Sequence, residues 1–459
     1  MNAILIQNVV IFGPDGRFNG NCLIEDGQIR ALSAEVPVRP GGSEDLQIID
    51  GQGHWLWPGV IDGHVHFREP GATYKEDWLT GSQAAVAGGV TSVLDMPNTQ
   101  PPTTTIERLE QKRALAARKS LCNFGLFFGA GIQNHREIHM ASNVAGLKVF
   151  MGCSTGDLLV HREEDLDAVF AAWQAAPGDQ PICVHAESEE RLRERAEYFK
   201  ERDDPAVHSE IRDPVAAAEA VQLACRLALD HGCHLHILHL STARELAIVA
   251  EARQQARRHG LKTRITCEVC PHHLFLSTDA YATLGTRARV NPPLREESER
   301  QAMWRALNAG EIDMIATDHA PHSLKEKDRP YRDAPSGLPG VETLLPLLLD
   351  AAHRGLCTYE QVVDWLCHNP ARIYGIAARG QLRAGFQADL TLIDPTLTRE
   401  VRDHDQFTRS AWSPWSGRSL TGWPVMTWVN GALVFRRDAD GPGEIVGARG
   451  LGQELEFSS

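Results

Sequence analysis

Short apolar runs recur along the chain, and segments with helical character follow them. Most of the runs are almost continuously apolar, as is typical of parallel strands buried on both faces of a sheet. Eight alternating units of this kind predict an α/β fold, namely a (β/α)₈ TIM-type barrel. The predicted strands span residues 59–67, 89–98, 123–131, 146–152, 181–187, 234–241, 262–271 and 312–321.

Two of the intervening segments carry the signals of helices. Residues 105–119 are rich in strong helix formers. The segment 213–232 begins at Asp213, a suitable N-cap, with Pro214 at the first helical position and Gly232 as a stop. We expect an α-helix over each of the two segments.

The two ends of the chain depart from this alternation. Residues 1–55 and 380–437 consist of short strand-like runs separated by turns. We therefore expect both ends to form one small β-sandwich domain, with the barrel in residues 56–379. Residues 438–459 form a polar, glycine-rich tail, and this composition favours disorder.

Composition and charge exclude several classes of partner. The chain has 459 residues, 42% of them hydrophobic, and a formal net charge of −14. Nucleic acids and anionic membranes are not expected to bind, because both require a basic surface. No apolar run approaches the ~20 residues that cross a bilayer. The N-terminus lacks the charged region and cleavage site of a signal peptide, so we expect a cytoplasmic protein.

The ten cysteines are scattered along the chain, between Cys22 and Cys367. In a long chain without a signal peptide we expect them to be reduced. Cys267 and Cys270 form a C-x-x-C pair, but no second pair completes a zinc knuckle. We interpret this pair as structural.

Potential metal ligands stand at the ends of several predicted strands. His64 and His66 alternate along the first strand, so their side chains point to the same face. His185, His239 and Asp318 end the fifth, sixth and eighth strands. The functional side chains of such barrels gather at the carboxyl ends of the strands. We therefore expect these residues to meet, and their composition is typical of a metal site.

Lys148 lies in the fourth predicted strand, within the apolar sequence GLKVFMG. Burial of the ammonium group would lower its pKa. The residue is either a lysine in a buried ion pair or a neutral amine that captures CO₂ as a carbamate. A carbamate is an anion with two oxygens and could bridge two metal ions.

The motifs of the chain resemble those of the amidohydrolase superfamily and, within it, of the dihydroorotases of the longer bacterial type. The matching motifs are DGHVHFREPG, MPNTQPPTT, GLKVFMG, VHAE, HILHLST, EVCPHHL, NPPL and ATDHAPH. The resemblance extends from about residue 3 to about residue 437, with the motifs in family order.

The resemblance implies a centre with two Zn²⁺ ions. His64, His66 and Asp318 would hold one ion, and His185 and His239 would hold the other. Carboxylated Lys148 and a hydroxide would bridge them. His236 also lies on the sixth strand, but the family ligand precedes LST, so we interpret His236 as structural.

The resemblance further implies the reversible cyclisation of N-carbamoyl-L-aspartate to L-dihydroorotate, a step of de novo pyrimidine synthesis. Asp318 would be the catalytic residue, which takes a proton in ring opening and returns it to the departing nitrogen. The implied substrate-binding residues are Arg68, Asn98, Asn291 and His322, with backbone contacts near Ser336 and Gly337 in the loop 322–340.

The charge of such a centre favours an anionic small-molecule substrate. Two zinc ions outweigh the negative charges of the carbamate, Asp318 and the hydroxide, and Arg68 adds a further positive charge. An arginine also suits a carboxylate, because it donates two parallel hydrogen bonds.

Sister enzymes are the main alternatives. Allantoinases and hydantoinases (dihydropyrimidinases) share the lysine and the metal ligands, so the metal site does not discriminate among them. Arg68 favours dihydroorotate, which carries a ring carboxylate that hydantoins and uracils lack. A non-catalytic scaffold protein is a remote alternative, since every expected ligand is present.

Two further expectations rest on the family. The resemblance suggests a homodimer or a tetramer. Cys270 stands where the family commonly has Thr. A thiolate there could bind stray zinc, but we interpret Cys270 as a small buried replacement.

Overall fold

A computed structural model describes residues 3–37, 46–153, 158–438 and 441–458. The strands in these ranges form two sheets. In chain order they are β1 (Ala3–Gly13), β2 (Gly16–Glu25), β3 (Gln28–Ser33), β4 (Leu46–Asp50), β5 (Trp55–Pro58), β6 (Val60–Val65), β7 (Val90–Asp95), β8 (Asn123–Gly129), β9 (Gly146–Phe150), β10 (Ile182–His185), β11 (His234–Ile237), β12 (Arg264–Val269), β13 (Met314–Ile315), β14 (Leu390–Glu400), β15 (Ser419–Val429), β16 (Ala432–Arg436) and β17 (Glu444–Ile445).

The strands β6 to β13 form the predicted barrel. They pair in sequence order in one eight-stranded sheet, and each neighbouring pair is parallel. The chain beyond β13 closes the sheet on β6, because His66 N donates to His319 O at 2.8 Å and Val65 bridges His319. The (β/α)₈ fold is therefore confirmed.

Helices occupy most of the connections between the barrel strands. Both predicted helices are present, and Asp213 accepts a hydrogen bond from Ala216 N at the start of the second. None of the helices within the described ranges is long and apolar enough to cross a membrane. The α-helices are α1 (Trp78–Ala87), α2 (Ile106–Lys119), α3 (His135–Met140), α4 (Glu163–Gln174), α5 (Glu189–Tyr198), α6 (Val207–Ile211), α7 (Pro214–His231), α8 (Ala243–Arg258), α9 (Pro271–Phe275), α10 (Tyr281–Leu284), α11 (Glu297–Asn308), α12 (Leu324–Lys327), α13 (Leu344–His353), α14 (Tyr359–Val363) and α15 (Asn369–Tyr374).

The second sheet joins strands from both ends of the chain, as predicted. Its order is β17-β16-β15-β14-β5-β1-β2-β3, with β4 paired to β1. The contact between β5 and β14 unites the N-terminal and C-terminal parts. The strand β5 continues this sheet to Pro58, beyond the boundary predicted at residue 55.

A buried carboxylate connects this sheet to the barrel. Asp389 precedes β14 and accepts hydrogen bonds from Asn123 Nδ2, at the start of β8, at 3.0 and 3.1 Å. Its side chain also accepts from Asn430 N at 2.8 Å and pairs with Arg379. The charge is thus satisfied where it is buried, as a buried carboxylate requires.

The glycine-rich tail is ordered over residues 441–458, contrary to the expectation of disorder. Leu455 is fully buried in the cluster that fills the lower barrel, and Leu455 N donates to Phe124 O at 2.8 Å. Phe457 bridges Ile376 and packs on the same cluster. The tail therefore covers the end of the barrel at which β8 begins, and its apolar residues outweigh its polar composition.

Leu455→Ala should lower the free energy of unfolding by about 2–4 kcal/mol, because it removes buried packing and leaves a cavity. Urea denaturation would measure the change. Glu456→Ala is the matched control, since Glu456 is adjacent and exposed, and it should leave the midpoint unchanged. Equal midpoints for Leu455→Ala and the unmodified protein would contradict a sealing role for the tail.

Candidate metal centre and active site

One cavity at the carboxyl ends of the barrel strands collects the predicted site residues. His322 lies beside this cavity and contacts two of its lining residues, as described below. Phe150 and Ala320 complete the lining. The predicted residues that line it are His64, His66, Arg68, Asn98, Lys148, His185, His239, Asn291, Asp318, Ser336 and Gly337.

The first group of potential ligands consists of His64, His66 and Asp318. Oδ1 of Asp318 lies 3.3 Å from Nε2 of His64 and 3.0 Å from Nε2 of His66. One ligand atom from each residue lies within 4.8 Å of the others. Burial alone would raise the pKa of Asp318, but the two imidazoles hold it well below its usual value. The carboxylate therefore stays ionised, as a metal ligand must.

The other ring nitrogens of these histidines are already hydrogen-bonded. Nδ1 of His64 donates to Glu268 Oε1 at 2.7 Å, and Nδ1 of His66 donates to Asn98 Oδ1 at 2.6 Å. The Nε2 atom of each ring then faces Asp318. Outer partners of this kind fix the tautomer of a metal-binding histidine.

His185 and His239 form the second group. Nδ1 of His185 lies 2.9 Å from Nε2 of His239, and Nε2 of His185 donates to Glu187 Oε2 at 2.9 Å. Arg212 Nε donates to Glu187 Oε2 at 3.0 Å and holds that carboxylate in place. Burial lowers the pKa of both histidines. Both rings are therefore neutral, the form that binds metal.

Lys148 lines the same cavity as the two groups and is buried, with 1% of its surface exposed. Its Nζ lies 4.5 Å from the centre of the Phe150 ring and forms no hydrogen bond or ion pair with the described residues. Burial lowers the pKa of the amine to about 8, although Asp318 opposes this shift. The alternative in which Lys148 forms a buried ion pair is therefore not supported.

The donor set fits two metal ions. Imidazole nitrogens and a carboxylate are the ligands that zinc binds in open, catalytic sites. His64, His66 and Asp318 would hold one ion, and His185 and His239 the other. Lys148 lies on the same cavity wall as both groups, and its buried amine lacks an anionic partner among the residues described.

Arg68 presents a buried guanidinium to the same cavity. It is 6% exposed, and Nε donates to Pro321 O at 3.3 Å. Burial lowers its pKa to about 10, so it remains charged near neutral pH. No carboxylate forms an ion pair with Arg68 in the part of the chain that the structure describes. Such a buried cation calls for an anionic ligand.

His322 lies between two cations. Its Nδ1 accepts from Lys75 Nζ at 2.9 Å, so its Nε2 carries the hydrogen and donates to Ser336 O at 3.0 Å. Arg68 Nη2 lies 3.2 Å from the same Nε2, which cannot accept from it in this tautomer. Burial and these two cations hold the pKa of His322 well below its usual value. The arginine Nη2 thus remains available to a ligand.

The loop 322–340 is tied down beside the cavity. Nε2 of His208 donates to Asn291 Oδ1 at 2.9 Å, and Tyr331 Oη lies 3.0 Å from the other ring nitrogen. Gly337 has φ +127°, and a side chain there would collide with Ala320 O. Its N–H donates to Arg289 O at 2.9 Å. Glycine is therefore suited to this position, where the backbone of the loop approaches Ala320 closely.

Three site residues have positive φ angles, a region that non-glycine residues rarely adopt. These are Arg68 at 60°, His239 at 39° and Asp318 at 48°. Each lies shortly beyond the end of a barrel strand. Strained backbone of this kind is concentrated at functional sites.

Sequence reasoning missed the carboxylates behind the histidines. Glu268 binds His64 and also accepts from His236 Nε2 at 3.2 Å, which supports the structural interpretation of His236. A lone glutamate in the apolar run ITCEVC was the available signal. The corresponding signal for Glu187 is its place in VHAE, two residues after His185.

Comparison with known proteins extends this picture. The amidohydrolase family matches residues 55–434. A dihydroorotase of Halobacterium salinarum is 42% identical over 423 residues, covering 91% of this chain and 96% of that protein. An allantoinase of Rubrobacter xylanophilus is 35% identical and covers 92% and 94%. The structure of an L-hydantoinase (dihydropyrimidinase) from Arthrobacter aurescens has a TM-score of 0.90 at 28% identity, covering 99% and 100%. These matches, together with the fold and the motifs, show that this chain belongs to the amidohydrolase family.

Proposed function

We propose that this protein is a dihydroorotase, which interconverts N-carbamoyl-L-aspartate and L-dihydroorotate in pyrimidine synthesis. The observation that carries the proposal is the buried Arg68, which faces the cavity without a carboxylate partner among the described residues. Both substrates carry a carboxylate that this guanidinium can bind through two hydrogen bonds.

The relatives support the same choice. Several proteins named dihydroorotase are 33–42% identical to this chain. The alternatives, an allantoinase or a hydantoinase, are supported by relatives that bear those names. The metal-binding side chains do not decide between these substrates, whereas a cation placed for a ring carboxylate favours dihydroorotate. A non-catalytic scaffold remains a remote alternative.

The cofactor proposed for this site is a pair of Zn²⁺ ions per subunit, which N6-carboxylated Lys148 would help to hold. When bound, these ions would supply Lewis-acid polarisation of the amide carbonyl and an ionised water near neutral pH. The four histidines, ionised Asp318 and the unpaired amine of Lys148 are the side chains that would hold them.

The side chains of the site would have separate roles in proton transfer and in substrate binding. Asp318 is ionised at rest, so in ring opening it can accept the proton of the attacking water and pass it to the departing nitrogen. In cyclisation it must begin protonated. Arg68 would bind the substrate carboxylate, and His322, whose Nε2 lies 3.2 Å from Arg68 Nη2, would help to position it. Asn98 and Asn291 would bind the amide groups of the substrate. Contacts to Ser336 and Gly337 stay predictions, as do the homodimer or tetramer and the cytoplasmic location.

Arg68→Ala should retain zinc and lose about 100-fold in kcat/KM for dihydroorotate, because a charge-assisted pair of hydrogen bonds is removed. Steady-state kinetics with metal analysis of the same samples would measure both. Arg329→Ala is the control, since Arg329 is exposed on the same loop, and it should change neither quantity. Loss of zinc from the Arg68 variant, or activity on allantoin or dihydrouracil with none on dihydroorotate, would contradict the assignment.

The two directions of the reaction should respond oppositely to pH. The pKa of Asp318 is held well below its usual value, so the protonated form needed for cyclisation becomes rarer throughout the range above it. Cyclisation should therefore fall as pH rises from 6 to 9, by up to about tenfold per unit, whereas ring opening should hold or rise. Rates measured in both directions in the same buffers test this. A fall in both directions would exclude Asp318 as the proton carrier.

Zinc loading of the metal-free protein should depend on CO₂ and pH together. The neutral amine of Lys148 is the form that captures CO₂, and its pKa of about 8 makes that form rarer below pH 8 and dominant above it. At fixed dissolved CO₂, uptake should be about tenfold faster at pH 9 than at pH 7. Equal zinc uptake in CO₂-free buffer would argue against carboxylation of Lys148.

A further inference from the structure

A second cluster of potential ligands lies outside the catalytic cavity. Cys270 directly follows β12, and His272 and His273 lie in the first turn of α9. One ligand atom from each residue lies within 4.8 Å of the others, and all three side chains are buried. None of them lines the cavity described above.

The two imidazoles have ring nitrogens without partners. Nε2 of His273 donates to Pro292 O at 3.2 Å, which leaves its Nδ1 as a buried lone pair that accepts no hydrogen bond from the described residues. His272 is 1% exposed, and neither of its ring nitrogens has a partner within the same ranges. Buried polar atoms are normally satisfied, so atoms left without a partner indicate a missing ligand.

We propose that Cys270, His272 and His273 bind a third metal ion, of the Zn²⁺ class. One thiolate with two imidazoles is a donor set that zinc prefers, and an atom of the solvent or the backbone would complete a tetrahedron. Binding converts the Cys270 thiol to a thiolate and releases its proton to solvent. The hydrogen bond from His273 to Pro292 is the outer contact that fixes a metal-binding tautomer.

Geometry and charge both suit a cation at this position. Ligand atoms around tetrahedral zinc lie about 3.3–3.7 Å apart, and those of this set already lie within 4.8 Å of one another. Burial and the negative potential of three carboxylates, those of Glu268, Asp318 and Asp62, raise the pKa of the Cys270 thiol well above its usual value, although Lys148 opposes this shift. A metal ion with a single thiolate would be stabilised by that potential.

The bound ion would brace the region that carries Asn291. His273 already contacts Pro292, the residue after Asn291, and Cys270 directly follows β12. A metal that joins these residues would fix the segment 289–295 to the end of a barrel strand. Its role is structural and separate from the reaction at the catalytic cavity.

Cobalt substitution separates this site from the catalytic one, whose proposed ligands contain no sulfur. Protein purified from cells grown with Co²⁺ should show a thiolate-to-cobalt charge-transfer absorption in the near ultraviolet. Cys270→Ser should abolish that band and reduce total metal from about three to about two ions per chain. Cys267→Ser is the matched control, because Cys267 is buried on β12, the strand that precedes Cys270, and its Sγ lies 3.5 Å from Glu311 O. It should retain the band.

A second variant keeps the test decisive if Cys270→Ser folds poorly. His272→Asn preserves the thiol, so it should lower the affinity for Co²⁺ at least tenfold while leaving a weak charge-transfer band at high cobalt. Absence of the band from the unmodified protein, or a band lost equally from the Cys267 and Cys270 variants, would overturn the proposal. Because the band reports sulfur coordination, these results do not depend on dihydroorotase activity.

Discussion

Closure of the barrel between its first and last strands is the constraint on which the centre depends. Asp62 on β6 accepts hydrogen bonds from His64 N at 3.3 Å and from Thr317 N at 3.0 Å, which sets the register between the two strands. That register brings Asp318 against His64 and His66. A shift of one residue would turn these side chains to the other face of the sheet and separate the ligands.

The centre is also an assembly of buried charges that the protein only partly compensates. Glu268 and Glu187 orient His64 and His185 by accepting hydrogen bonds from their outer ring nitrogens. Arg68 and Lys148 remain without carboxylate partners in the described part of the chain. An uncompensated buried charge is costly in the absence of a ligand. The uncompensated positive charge of Arg68 therefore favours binding of an anionic substrate.

The two ends of the barrel serve different purposes. At the carboxyl end of the strands, buried Lys327 donates to Arg289 O at 2.9 Å and Pro335 O at 2.8 Å, which holds the loop over the cavity. At the opposite end, Leu455 completes an apolar cluster. Ligand chemistry is thus confined to the polar end, while packing of the tail supports the scaffold from below, as is usual in this fold.

The eight barrel strands, the two capped helices and the pairing of the chain ends were predictable, because each leaves a local pattern of apolar, capping or turn residues. His64 and His66 could be placed on one face by their spacing alone, and the remaining ligands by family motifs. Only the tertiary structure revealed the roles of Glu268 and Leu455, and the meeting of Cys270 with two orphaned imidazoles. Glu268 and His64 are 204 residues apart. Contacts at that separation depend on which strands become neighbours and on how side chains fill the space between them, and no local pattern encodes either.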